Sequence, residues 1–166
     1  MPHMKLPTLL TLAVALLATQ AAAQGLLPVR RISAELASQA VAEVVASCAK
    51  QGYAETAVLV DADGVRQALL RGDGAGSHTL DSAYDKAYTA ASFRTDTSAL
   101  YELSKTVPGF ANLFTQLPHL LLFGGGIVIK AGDQVVGAIG AAGAPGAHLD
   151  DACARAGLNA IRDRLK

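Results

Sequence analysis

Three histidines, His78, His119 and His148, and two cysteines, Cys48 and Cys153, are the side chains best suited to hold a metal or form a covalent link. The histidines stand roughly 30 to 40 residues apart with no His-Glu-x-x-His, so no clustered zinc site is written into the chain. Cys-x-x-Cys is absent, which excludes a thioredoxin-type site and a covalently attached haem. No Gly-x-Ser-x-Gly marks a serine nucleophile, and the acidic residues stand mostly where turns and helix starts use them. Gly140-Ala-Ala-Gly143-Ala-Pro-Gly146 looks like a phosphate loop, but Asp150 and Asp151 follow in the first turn of a helix and would repel an anion. Arg71-Gly-Asp73 is the tripeptide of adhesion ligands; here it serves a strand exit. Conventional enzyme chemistry is not visible.

The elements that must position these residues begin after residue 23. Lys5 gives a weakly basic start, Leu9 to Ala18 is apolar, and Ala21-Ala22-Ala23 fits the small-x-small cleavage rule, so residues 1–23 are expected to be a signal peptide. The apolar run is shorter than the ~20 residues a membrane span needs. The mature chain is expected to be exported, to the periplasm or the extracellular space. Residues 24–32 then form a short linker, and 33–166 a single domain. The whole chain carries 14 basic and 14 acidic residues, a balance that gives no electrostatic case for nucleic acid. In an oxidising compartment Cys48 and Cys153 form a disulfide, closing a loop with a separation of 153 − 48 = 105 residues, or else face each other as buried thiols.

Ser33 is a helix N-cap, and Leu36, Ala37, Ala40, Val41, Val44 and Cys48 recur at helical spacing up to Gly52. Thr56 to Val60 reads as a strand covered on both faces, with Asp61-Ala-Asp-Gly64 turning it into a second strand, Val65 to Leu70. Thr79 is expected to cap a second helix whose inner face is Leu80, Ala83, Tyr84, Ala87 and Ala91. A third helix follows through Ser104, residues 105–119 are punctuated by Pro108-Gly109 and Pro118, and a second hairpin turns at Ala131-Gly-Asp133. The last helix runs from about Ala147 to Leu165. Glycines at 137, 140, 143 and 146 imply close approach to another backbone, either between subunits or of helix on sheet within one, or to a flat ligand. Two hairpins separated by helices make an antiparallel sheet with helices on one or both faces, an α+β domain.

Haem gives a lone histidine a use, because one or two axial ligands suffice and the rest of the pocket is apolar wall. Arg71, Lys86 and Arg94 could then pair with the propionates at the rim. The ordered set Ala57-Val-Leu-Val-Asp-Ala-Asp-Gly64, Asp73-Gly-Ala, Lys86-Ala-Tyr-Thr-Ala, Phe93, Gly124-Gly-Gly-Ile-Val-Ile129, Val136-Gly-Ala-Ile-Gly140, Gly143-Ala-Pro-Gly146 and Asp150 to Gly157 resembles the GlcG/HbpS family of haem-binding proteins over about residues 33–165. The resemblance implies a profilin-like α/β sandwich, a five-stranded antiparallel sheet flanked by helices, assembled into homo-oligomers. It also implies a non-covalent haem binder acting as scavenger, carrier or redox-sensing accessory, with an exported or sensor protein as possible partner. His78, beside the Asp73-Gly-Ala loop, is the first candidate for iron ligand and His119 the second; Lys86 is placed on the family motif without a catalytic role. The alternatives are a non-haem oligomeric accessory module of the same family, or an enzyme on a small hydroxy acid.

Overall fold

Strand Thr56–Asp61 (β1) has every residue buried, which requires cover on both faces and strands on both sides. The computed structural model, which describes Gly25 and residues 27–166, supplies both. The leader expected at 1–23 lies outside the described residues. β1 pairs antiparallel with Arg66–Arg71 (β2) and with Gln134–Ala142 (β4), and β4 pairs with Gly126–Ala131 (β3). The order is β2-β1-β4-β3, so each hairpin is one half of the sheet. The first hairpin is closed by the Asp61 carboxylate, which accepts from the amides of Asp63 and Val65, each at 3.0 Å. Gly64 takes the positive φ of 81° that the turn demands.

Helices Ala34–Ala49 (α1) and Ala147–Ile161 (α5) cover one face of the sheet, and His78–Phe93 (α2) covers the other. Alanine at 83, 87 and 90 brings α2 onto β4, and Gly140 completes the approach: a Cβ there would collide with the Ala83 carbonyl oxygen. The small residues of the last strand therefore serve helix-on-sheet packing within one chain. Cys48 of α1 and Cys153 of α5 are bonded, with their Cα atoms 5.6 Å apart and both side chains buried. No described helix is long and apolar enough to cross a membrane.

Two expectations are corrected. The sheet has four strands among the described residues, not five. After helix Thr97–Ser104 (α3), the chain makes a 3₁₀ turn at Phe110–Asn112 and a single α-turn at Leu113–Gln116 (α4), and prolines there remove ladder donors. Thr79 does not cap α2: the helix starts at His78, and the buried Thr79 hydroxyl lies 2.6 Å from both the Gly76 carbonyl oxygen and the Thr56 hydroxyl.

The two sheet edges differ. On β3 the outward amides of Gly126 and Val128 donate to Thr97 Oγ1 and Asp96 Oδ1, each at 2.9 Å, so the start of α3 caps that edge. Among the described residues the outer side of β2 pairs with no strand, and Leu69 and Leu70 of β2 are exposed.

Candidate functional site

Helix α2 and its C-cap carry three of the expected residues. At about 1.5 Å per residue it spans some 24 Å, with His78 at one end, Lys86 in the middle and Arg94 at the C-cap. Three of the five expected residues, His78, Lys86 and Arg94, are thus strung along a rod and do not converge.

His119 is the histidine with a built environment. It sits at a positive φ of 61°, and its ring packs edge-on against Tyr84 and Tyr88, with centroids 5.2 Å and 6.0 Å away. Its Nδ1 is 3.1 Å from Asp85 Oδ1. A carboxylate on one ring nitrogen fixes the orientation of the imidazole, the arrangement found behind metal-ligating histidines. The neighbouring surface is apolar, a cavity of about 330 Å³ walled by Tyr88, Phe93, Leu117 and Leu120. Arg66 lies over the Tyr84 ring at 3.5 Å.

The other expected residues are elsewhere. His78 opens α2 beside the Gly76 loop, seven residues or about 10 Å of helix from Asp85. Arg71 is bent back onto the Ala75 carbonyl oxygen, its Nε donating at 2.7 Å, so it closes the loop that contains Arg71-Gly-Asp73. Arg94 ends α2 in the left-handed conformation at φ 53° and lines a groove with Lys130 and Thr95. His148 lies in the first turn of α5, its ring close to Gly146. Among the described residues no three histidine, cysteine or acidic side chains form a metal cluster.

Lys86 is not a rim cation. It is 2% exposed, and its Nζ is 2.5 Å from Asp150 Oδ2 and donates to the Ala141 carbonyl oxygen at 2.9 Å. Its position between Ala83 and Ala90 turns it inward, and Gly125 leaves room for the ammonium where a Cβ would press on it. Asp150 also accepts from the Ala144 amide at 3.0 Å, which ties the start of α5 to the loop after β4. The neighbouring Asp151 accepts from the Gly125 amide at 2.5 Å, so both acids of the first turn are used inside the protein.

Glu55, which no sequence signal singled out, completes this cluster. Its carboxyl is fully buried, and neither oxygen closes a hydrogen bond among the described residues. Burial first, and the Asp150 carboxylate second, push it up to about 8, against a smaller opposing pull from Lys86. The folded chain therefore keeps a proton that the unfolded chain releases near 4.5. The stability this contributes is complete below about pH 4.5 and is lost as the pH rises through about 8. Urea unfolding from pH 5 to 9 should show that decline, and Glu55→Gln should flatten it. An unchanged slope in the variant would assign the decline to other groups.

The comparisons agree with this architecture. A family model described as "Haem degrading protein HbpS-like" matches residues 32–159. A crystal structure of HbpS is 34% identical with a TM-score of 0.76, over 82% of this chain and 94% of that one. A double mutant of HbpS from Streptomyces reticuli is 32% identical with a TM-score of 0.77, over 93% of this chain and 99% of that one. The crystal structure of a PduOC–haem complex shares the fold at 24% identity and a TM-score of 0.73, over 80% of this chain and 96% of that one. No curated protein matches the chain.

Proposed function

Because the chain belongs to the HbpS-like family, we propose that it is an exported protein that binds haem non-covalently, with His119 as the iron ligand. The observation that carries this reading is the His119–Asp85 pair set among Tyr84, Tyr88 and the apolar wall of Leu117 and Leu120. That donor set fits haem: one oriented imidazole, a flat aromatic and aliphatic surface, and a cation, Arg66, held nearby for a propionate. When bound, haem supplies an iron centre for ligand binding or electron transfer. The residues of the chain fix the imidazole through Asp85, offer apolar surface, and pair with carboxylate at Arg66. His119 takes precedence over His78 because His78 has no carboxylate behind it and no apolar wall described around it.

Haemin titration into the purified protein, followed in the Soret region, should give a sharp, saturable band at one haem per chain. His119→Ala should weaken binding at least about tenfold or shift the band, and His78→Ala should change neither. Asp85→Asn should give a smaller loss than His119→Ala, since it acts only through the ring it orients. A broad, non-saturating band would remove the haem reading. A normal band in His119→Ala would move the ligand elsewhere.

A further inference from the structure

Residues 121–126 run over the buried Glu55, Lys86 and Asp150 cluster as a thin strap. The Gly125 backbone lies directly on the ion pair: a Cβ there would sit 2.9 Å from Lys86 Nζ and 2.8 Å from Asp150 Cβ. Phe123, 48% exposed, closes the outer side, its ring centroid 5.3 Å from Lys86 Nζ. We infer that the cluster is a proton-operated latch: loss of the Glu55 proton opens the strap and admits water to Lys86 and Asp150. The strap starts two residues after His119, so its opening frees the chain on one side of that imidazole. Only this consequence rests on the haem reading; the latch itself does not.

A buried carboxylate without a donor is costly, and neither oxygen of Glu55 has one among the described residues. As an acid Glu55 becomes a donor itself, and Asp150 is placed to accept. The cluster then holds one anion and one cation, Asp150 and Lys86, 2.5 Å apart. Ionised, it holds two anions and one cation, all three side chains closed off from water. Those two partners, from α5 and α2, are the charged groups that act on Glu55. On the other sides stand the Val45 side chain of α1 and the Gly72 backbone, and Asp151 is turned to the Gly125 amide. The proton is therefore held until the pH rises through about 8, and its loss leaves a buried negative charge that only water can relieve.

Of the covers over the cluster, the strap is held least. Leu122, Phe123 and Gly124 donate no backbone hydrogen bond among the described residues. The amides of Leu121, Gly125 and Gly126 donate to side chains: Thr89 Oγ1 at 2.8 Å, Asp151 Oδ1 at 2.5 Å and Thr97 Oγ1 at 2.9 Å. One backbone bond, from the Ala141 amide to the Gly125 carbonyl oxygen, ties the strap to β4. The opposite cover is closed by main chain, with the Gly72 amide donating to the Glu55 carbonyl oxygen at 2.8 Å and Gly143 pressed on the Ala54 carbonyl. Segments held by few backbone bonds open at the lowest cost, and glycines at 124 and 125 allow the movement.

Native-state amide exchange of the haem-free protein from pH 6 to 9 tests the latch, each rate divided by that of the free peptide at the same pH. One linked proton should lower the protection of Leu121, Gly125 and Gly126 about tenfold per pH unit, levelling off above about 8. The amides of β1 and β4 should stay at least about tenfold better protected, which marks the opening as local. Glu55→Gln keeps the size of the side chain and has no proton to lose, so its strap protection should not change with pH. Phe123→Ala should lower strap protection at every pH by about threefold or more and keep the slope of the parent. Flat protection in the parent, the parent slope in Glu55→Gln, or strap protection unmoved by Phe123→Ala would overturn the inference. So would a fall shared equally by β1 and β4, or one confined to the Gly72 and Ala144 amides, which would place the opening elsewhere.

Discussion

Lys86→Met is expected to lower the unfolding free energy by about 3–5 kcal/mol at pH 7, the cost of leaving a buried charge without its partner. For a domain of this size that corresponds to a fall of about 10 °C in the thermal midpoint. The reason is local: without the ammonium, Asp150 faces Glu55 with no cation between them, and both carboxyls are buried. The double variant Lys86→Met/Asp150→Asn removes both charges yet keeps an acceptor for the Ala144 amide. It should recover at least half of the loss. Urea unfolding of the three proteins measures both quantities. A single variant within about 1 kcal/mol of the parent would mean that the pair is relaxed by solvent and is not a closed buried contact.

Loss of the Cys48–Cys153 bond is the second large effect. With a sequence separation of 105, the chain-entropy model assigns the cross-link roughly 4–5 kcal/mol, through restriction of the unfolded chain. Cys48→Ala/Cys153→Ala should therefore unfold at markedly lower urea than the parent, and reductant should move the parent curve toward that of the variant. Both sulfurs lie in the core between α1 and α5, so the folded structure itself should change little. Thiol labelling in denaturant without reductant should find no free thiol. Two labelled thiols per chain, with the same curve in reductant, would show that the bond is not formed.

How much could be read before folding depended on whether a signal was local. α1, the first hairpin and α5 are spelled out by spacing and turn chemistry: Ser33 accepts from the Leu36 amide at 3.2 Å as an N-cap should, and Asp61 and Gly64 make the turn they announce. The glycines at 137, 140 and 143 correctly signalled close approach, although only the packed molecule shows what approaches. The buried cluster is the opposite case. Asp150 reads as an ordinary first-turn acid, and its partner Lys86 is 64 residues away. One clue existed: Lys86 shares the face of α2 that holds Ala83 and Ala90, and a cation on a buried face requires an acid opposite it. Glu55 gave no clue, because a glutamate before a strand is unremarkable until the loops at Gly72 and Gly143 close over it. His119 and Asp85 meet only because the chain reverses at Pro118 and His119, in a stretch without periodicity. The fifth strand came from the family resemblance and not from residues of this chain, whose two hairpins account for four.

The unequal edges of the sheet fix the arithmetic of any further strand pairing. Thr97 and Asp96 already occupy the outward amides of Gly126 and Val128 on β3, so among the described residues the more open edge is that of β2. An object with one open edge is a terminator: two such objects can join edge to edge about a twofold axis, and then nothing remains to join a third. A chain with both edges open would propagate. Among the described residues, the polar side chains at the start of one short helix thus make the two edges of the sheet unequal, and β2 carries the open one.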